Sequence, residues 1–271
     1  MKTKSCQIEN NKPKRVFIMK RILTAIFVMM MWALLHIQCS NATGPSSDKS
    51  SVWKAASTGL PENTTVKAIT NVSGTKTLYA GTYDGIYKSA NNGDSWTQSN
   101  NGLTALDISA LAAGKNDLVF AGTWGKGVFR STNGSANWTS TWKSSQSPHI
   151  NGVVVAANNS VWAATEHGLY KSVDDGVSWM HVFSYGKIRS VNVHPTDANI
   201  IYIGVRWHGN FRSRDGGATW QEINSGVYSD GQDVASANRF LFHPDDPEKI
   251  FMSTGWVDLY YTENGGDSWE L

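Results

Sequence analysis

Aromatic rings, carboxylates and cations occur together at five places along the chain, and such mixtures are typical of ligand-binding surfaces. Aromatic faces stack on sugars or on peptide side chains, while charged groups and amides orient a ligand by hydrogen bonds. We therefore predict that these residues line one face that binds a glycan or a protein. The candidates are Tyr83, Asp84, Trp124, Lys126, Glu166, His167, Arg206, Trp207, His208, Trp256 and Asp258.

Catalysis is the alternative function for the same groups, because a glycoside hydrolase needs two carboxylates about 5 to 9.5 Å apart. Asp84, Glu166, Asp233 and Asp258 could supply such a pair, although nothing in their spacing requires one. The sequence contains no H-E-x-x-H, G-x-S-x-G or phosphate-loop motif. We assign no catalytic residue and place a carbohydrate-active hydrolase second to a binding module.

Metal binding and cofactor chemistry have little support in the sequence. The only cysteines, Cys6 and Cys39, lie in or before an amino-terminal leader, so the mature chain has no thiolate ligand and no disulfide. His194 and His243 each precede a proline in the matching turns HPTD and HPDD, which favours a structural role for both. We predict neither a metal site nor a cofactor.

A second set of polar residues, with the pattern of the stretch SVDDGVSW at residues 172–179, has a structural interpretation. An Asp or Asn side chain accepts backbone N–H bonds in a tight turn, Gly permits a positive φ, and Trp returns the chain to the core. Asn133, Asn264 and Ser135 stand where other copies have Asp or Gly, which a turn tolerates and a shared catalytic role does not. The predicted turn residues are Ser89, Trp96, Ser131, Trp138, Ser172, Asp174, Gly176, Trp179, Ser213, Asp215, Gly217, Trp220, Asn264, Gly266 and Trp269.

The tryptophans of this motif recur every 41 to 49 residues, counting a faded first copy that ends at Trp53. Each copy lies in the same order of short strands, which is clearest in residues 188–223: two apolar strands around the turn at His194, a loop, a third strand, the motif and a fourth strand. The 25 glycines and 12 tryptophans of the 271-residue chain suit many short strands joined by turns. A repeat in the low forties predicts one four-stranded propeller blade per copy.

On these residues the chain resembles the Asp-box, or bacterial neuraminidase repeat, propellers, whose motif is S-x-D-x-G-x-[ST]-W. That superfamily includes sortilin-type receptors, xyloglucan-cleaving glycoside hydrolases and photosystem II assembly factors, and the resemblance covers residues 46–271. It implies an all-β propeller of four-stranded blades in which five Asp-box repeats are visible. Arg189, Arg206 and Arg239 could approach one face like a sialidase arginine triad, but the chain has no Arg-Ile-Pro segment and no match for the xyloglucanase catalytic aspartates.

In such a propeller the candidate ligand residues fall in loops between second and third strands, at the opposite end of each blade from the Asp-box turn. Their structural alternative is that the aromatic rings fill the central channel or pack between blades. The loops that lead into first strands share the same end of the blades. They add Asp107, His149, Tyr185, Tyr228, Asp230 and Asp233 to this predicted face.

The chain divides into three predicted segments. Residues 1–42 form a signal peptide with an extended amino-terminal region, because Lys20 and Arg21 precede an apolar run that is too short to span a bilayer comfortably. Lipid attachment at Cys39 is possible but disfavoured, since Gln38 fits a lipoprotein signal badly, and Met19 is an alternative start. Residues 43–51 form a linker with the faded Asp-box, and residues 52–271 form the propeller. Its predicted blades are 65–99, 105–142, 149–183, 188–224 and 234–271.

The net charge of the chain and its predicted signal limit the classes of partner that it can bind and its expected location. The formal net charge of +2 includes seven Lys and Arg but only one acid before residue 43, so the mature chain has 17 basic and 21 acidic residues. A mildly acidic chain is a poor nucleic-acid binder. We expect a bacterial protein that is secreted, periplasmic or on the cell surface, with no membrane span after cleavage of the signal.

The end of the sequence predicts an incomplete propeller. The strand after Trp269 stops at Leu271, whereas its counterpart after Trp96 continues to Leu103. Residues 52–60 match that counterpart, so they read as an outer strand that lacks inner strands before it. The alternative is a closed ring of five blades in which residues 52–57 complete the fifth blade.

Overall fold

The computed structural model describes residues 55–142, 148–255 and 258–271, and there the chain is all β. Five antiparallel sheets follow one another along the chain, which confirms the predicted propeller of β-blades. The predicted signal peptide, the linker at 43–51, Cys39 and Trp256 lie outside the described residues. Within the described ranges, no helix has the length and hydrophobicity that crossing a bilayer requires.

The strands are short, as expected for blades. Blade one contains β1 (Val66–Asn71), β2 (Leu78–Thr82), β3 (Gly85–Ser89) and β4 (Thr97–Gln98); blade two contains β5 (Ile108–Ala113), β6 (Val119–Thr123), β7 (Val128–Ser131) and β8 (Thr139–Ser140); blade three contains β9 (Ile150–Val155), β10 (Val161–Thr165), β11 (Gly168–Ser172) and β12 (Met180–Phe183); blade four contains β13 (Ile188–Val193), β14 (Ile201–Val205), β15 (Gly209–Ser213) and β16 (Gln221–Glu222); blade five contains β17 (Ala237–Phe242), β18 (Ile250–Thr254) and β19 (Leu259–Thr262).

In the first four blades each strand pairs with the next one along the chain. Blade five has the same order in three strands, and beyond them Tyr261 and Glu270 form a single antiparallel bridge. The strands β6, β10 and β14 are buried along their whole length, since both faces of a blade are covered by its neighbours. The core therefore lies between blades rather than within one layer.

An aromatic ring at the second position of each second strand joins one blade to the next. Tyr79, Phe120, Trp162 and Tyr202 are at most 1% exposed, and three of them touch the Asp-box turn of the following blade. Phe120 packs against Gly176, Trp162 packs against Gly217, and the Tyr202 hydroxyl donates to the Gly265 carbonyl. The corresponding ring of blade five is Phe251, which is 36% exposed.

Each Asp-box forms a turn with two consecutive residues in the left-handed region. In blade three these are Asp175 and Gly176, with φ of 55° and 79°. The Ser172 hydroxyl accepts from the Gly176 N–H and donates to Asp174, whose carboxylate accepts from the Ser178 N–H. Equivalent bonds form in the other four copies. Position four of the box requires left-handed geometry, which explains why Asn, Gly and Asp occupy it.

The box tryptophan anchors the end of the preceding blade's outer strand. Trp138 donates its backbone N–H to Asn101 and its indole N–H to Ser99, and Trp269 bonds in the same way to Ser225 and Ile223. Trp96 makes the same two bonds to Thr58 and Ala56. Residues 56–60 therefore occupy, before blade one, the place that residues 99–103 occupy before blade two.

Candidate functional site

The predicted ligand residues lie on one end of the blades, here called the loop face, which carries the loops β2–β3, β6–β7, β10–β11, β14–β15 and β18–β19. The Asp-box turns lie at the opposite end of each blade. Tyr83 is 56% exposed, Trp124 is 50% exposed and Trp207 is 38% exposed, so these rings neither pack between blades nor fill the channel. Asp84, Lys126, His167 and His208 are also exposed, whereas Glu166, Arg206 and Asp258 are half-buried.

On blades one and two, the exposed rings surround an ion pair. Lys67 of β1 pairs with Asp107, which precedes β5. The Lys67 ammonium also lies 4.4 Å from the centroid of the Tyr83 ring and 5.8 Å from that of Trp124. On its other side, Trp124 stacks on His149 with ring centroids 4.0 Å apart. The pair and the three rings form one continuous surface from blade one to the start of blade three.

Glu166, on blade three, is held by residues of two neighbouring loops. Lys187 donates to one of its carboxylate oxygens, and His149 Nδ1 lies 3.3 Å from the other. The hydrogen bond from Lys187 lowers the pKa of Glu166, against the opposing effect of burial. A general acid needs a raised pKa, so this carboxylate is poorly suited to protonate a leaving group.

Blade four carries the loop with the most unusual geometry. It has one residue more than the corresponding loops of blades one and three, and Trp207 adopts a left-handed φ of 70°, which is rare for a bulky side chain. Its carbonyl accepts from the Val234 N–H, while the neighbouring His208 ring lies against Tyr185. The guanidinium carbon of Arg206 lies 4.7 Å from the centroid of the Trp207 ring.

The loop before blade five is stabilised by hydrogen bonds to one of its own carboxylates. The Asp230 carboxylate accepts from the backbone N–H groups of Gln232 and Asp233, and these bonds lower its pKa. Next to this loop the Tyr228 N–H donates to the Tyr260 hydroxyl. Asp230 therefore caps a turn, and Asp233 belongs to the same turn through its backbone.

A cavity of about 250 Å³ lies at the centre, lined by the inner strands of all five blades. The second residue of each inner strand faces it: Lys67, Ser109, Asn151, Arg189 and Asn238. Four of them bond to the following blade. Lys67 pairs with Asp107, Ser109 donates to the Ile150 carbonyl, Asn151 donates to the Ile188 carbonyl, and Arg189 donates to Asn238 over 2.8 Å.

Sequence reasoning did not single out Asn151, Asn238 or Lys187, and it considered Arg189 and Arg239 only as part of a sialidase-like triad. Alignment of the five inner strands on their apolar first residues would have shown the shared second position. The pairing of Lys187 with Glu166 joins two blades, so spacing along the chain carries no signal for it.

The two histidines of the repeated turns bond within those turns. His194 Nδ1 accepts from the N–H groups of Thr196 and Asp197, and His243 Nδ1 accepts from the Asp245 N–H. In the portion of the chain that the structure describes, no three His, Cys, Asp or Glu side chains are grouped as a metal site would require.

Comparison with known proteins supports this architecture. A family model described as "Sortilin, neurotensin receptor 3" matches residues 167–271. An ancestral GH74 enzyme matches in structure with a TM-score of 0.63 at 22% identity, over 76% of this chain and 30% of that one. The chain is a β-propeller.

Two further solved structures resemble the propeller. The extracellular domain of a protein described as a one-component system of B. thetaiotaomicron has a TM-score of 0.61 at 17% identity, over 78% of this chain and 28% of that one. YCF48 bound to D1 peptide has a TM-score of 0.60 at 14% identity, over 79% of this chain and 70% of that one. The propeller spans less than a third of the first two chains. No curated protein matches it in sequence.

Proposed function

We propose that this propeller is an extracytoplasmic binding module and that its loop face holds a glycan. The observation that supports this most is the exposure of Tyr83, Trp124 and Trp207 on one face. Flat exposed rings bind the apolar faces of sugars, and the amides of the adjoining cavity can bond to hydroxyl groups. The cavity lining mixes polar and apolar side chains, which suits a sugar, whose surface carries both hydroxyl groups and apolar C–H faces.

A protein ligand is the alternative within the same class of function. The structural neighbours include a propeller bound to a peptide and a glycoside hydrolase, and at their low identity they support the fold rather than a ligand. We favour a glycan because the loop face combines rings with ion pairs that are already neutralised, such as Lys67 with Asp107.

A hydrolase has weaker support than a binding module. Among the candidate carboxylates, Glu166 is held by an ion pair with Lys187, and this bond lowers its pKa. An enzyme would need a second carboxylate with a raised pKa beside it. Export rests on the predicted signal peptide at 1–42, which sequencing of the mature amino terminus would test.

The proposal predicts selective loss of binding when the exposed rings are removed. On an array of plant and bacterial oligosaccharides, Trp124→Ala and Trp207→Ala should each weaken binding about tenfold, the loss expected for one stacking ring. Their melting temperatures should stay within about 2 °C of the wild type, since both rings are exposed.

The matched control is Phe251→Ala, which removes an exposed ring from the side of blade five, away from the loop face. It should bind like the wild type. Equal binding by all three variants, or no binding to any oligosaccharide, contradicts the proposal. Release of reducing sugar from a bound oligosaccharide would show a hydrolase instead.

A further inference from the structure

The imidazole of His149 lies between the exposed ring of Trp124 and a carboxylate of the next loop. It stacks on the Trp124 indole with ring centroids 4.0 Å apart and planes 26° from parallel. The β6–β7 loop that carries Trp124 packs on the same imidazole, since a Cβ on Gly125 would lie 3.6 Å from two of its ring atoms. The placement of His149 and the placement of Trp124 therefore depend on each other.

One nitrogen of this imidazole makes no hydrogen bond. The Nδ1 atom is buried and has no partner among the described residues, although Glu166 Oε2 lies 3.3 Å away. The side chains of His149 and Glu166 are 31% and 29% exposed, so water screens their interaction only in part. Protonation of the imidazole places an N–H and a positive charge beside that oxygen, and an ionised carboxylate stabilises both.

The charged groups around this imidazole leave Glu166 as its partner. Lys187 donates to the other oxygen of Glu166, and this bond lowers the pKa of the carboxyl. Glu166 is therefore ionised throughout the range from pH 8 to pH 5, in which histidines titrate. Lys126 and His167, in the two loops beside the imidazole, are exposed, so water screens their charges.

A positive charge on His149 holds the Trp124 ring more firmly than a neutral imidazole does. A cation over the face of an aromatic ring is attracted by its π electrons, and tryptophan attracts cations most strongly. The Lys67 ammonium, 5.8 Å from the centroid of the same ring, opposes this only weakly, because Asp107 pairs with it. A ring that is fixed before the ligand arrives loses less conformational freedom on binding.

We propose that His149 is a positioning residue for Trp124 and that its protonation between pH 8 and pH 5 strengthens glycan binding at the loop face. This rests on the glycan-binding function proposed above, in which Trp124 is one of the rings that contact the glycan. Neither an indole nor a neutral sugar titrates in this range, so a pH dependence requires a neighbouring group. The imidazole stacked on Trp124 is that group.

Fluorine NMR of the protein labelled with 5-fluorotryptophan follows the placement of Trp124 without any ligand. The spectrum of Trp124→Phe identifies the signal, which is the one that disappears. In the wild type this signal should move along a single titration curve between pH 8 and pH 5. In His149→Gln it should not move. A histidine with a merely structural role would leave the signal at one position over the whole range.

Glu166→Gln removes the carboxylate and keeps the imidazole. The midpoint of its titration curve should lie at a lower pH than that of the wild type, since the imidazolium has lost its partner. The matched control is His167→Gln, which removes the exposed imidazole that follows Glu166 in the same loop. It should keep a curve close to that of the wild type, because the ring stacked on Trp124 is still present.

The same change of pH should alter binding to the neutral members of the oligosaccharide array. The wild type should bind them about two- to fivefold more tightly at pH 5.5 than at pH 8.0, the effect expected for one exposed cation–π contact. His149→Gln should bind them equally at the two pH values.

The outcomes separate this inference from the proposed function. A Trp124 signal that does not titrate, that titrates equally in His149→Gln, or that keeps its midpoint in Glu166→Gln overturns the role of His149 and leaves glycan binding intact. A titrating signal with an affinity that is the same at both pH values overturns the effect on binding. Failure of every oligosaccharide to bind overturns the proposed function, whereas the fluorine signal still decides whether the charge of His149 positions Trp124.

Discussion

A box aspartate acts as a hydrogen-bond acceptor, and the asparagine of another copy accepts equivalent bonds. In blade three, the Asp174 carboxylate accepts from the Ser178 hydroxyl, and this bond contributes most to lowering its pKa. It also accepts from the Ser178 N–H and from the Ser172 hydroxyl. In blade five, Asn264 makes the same two bonds with its amide oxygen. An amide can therefore replace the carboxylate in this turn at neutral pH.

Asp174→Ala removes all of these bonds and should lower the melting temperature by about 2–4 °C, whereas Asp174→Asn should change it little. Scanning calorimetry at pH 7 measures the difference. A loss of ligand binding by a normally stable Asp174→Ala variant would show instead that the carboxylate has a functional role.

The same bonds predict how stability depends on acidity. The folded pKa of Asp215 is lowered to about 2 by its bonds, led by the one from the Thr219 hydroxyl, while an unfolded chain titrates near 3.9. Stability from this carboxylate is present above about pH 4 and is lost as the pH falls towards 2. The double variant Asp174→Asn with Asp215→Asn should show a shallower decline over that range.

The box tryptophan of one blade and the glycine that faces it, after the outer strand of the preceding blade, form the contact between consecutive blades. Gly59, Gly102 and Gly226 all have a positive φ, and a Cβ on any of them would overlap the carbonyl oxygen of the box tryptophan they face. Both the conformation and the space exclude a side chain. The contact recurs because the same two hydrogen bonds from Trp recur.

Gly102→Ala should therefore destabilise the propeller by about 2–5 kcal/mol, from backbone strain together with the steric overlap. Gly74→Ala is the matched control, since Gly74 has a φ of 73° and nothing within 4 Å of its Cβ position. It should lose only about 1–2 kcal/mol. Equal unfolding free energies for the two variants in urea would show that the overlap is relieved without cost.

The strands and turns were predictable from the sequence because each repeat contains its own turn residues and its own alternation of apolar and polar residues. A turn is indicated by the residue types of Ser172, Asp174 and Trp179 alone. The turn that contains His194 indicates where the strands on either side end and begin. Contacts between blades were not predictable in this way. Lys187 meets Glu166 and Arg189 meets Arg206 only after the blades are placed side by side, since no local pattern links them.

At the scale of the whole molecule, one face of blade five differs from its equivalents. Tyr79, Phe120, Trp162 and Tyr202 are buried by the next blade, while Phe251 is 36% exposed beside Leu241 and packs on Tyr261. Tyr261 also stands where the other third strands have a Lys or Arg. The expected interruption of the propeller after blade five stays a prediction.

The bonds from each inner strand to the following one mean that every blade is coupled to its immediate neighbours and to little else. A repeat structure of this kind opens from its weakest end instead of all at once. Amide hydrogens of β18 and β19 should then exchange with deuterium through local opening, while those of β10 and β11, buried between two blades, should exchange only on global unfolding. Exchange followed by mass spectrometry would resolve the two rates, and uniform protection across all five blades would mean that the propeller unfolds as a single cooperative unit.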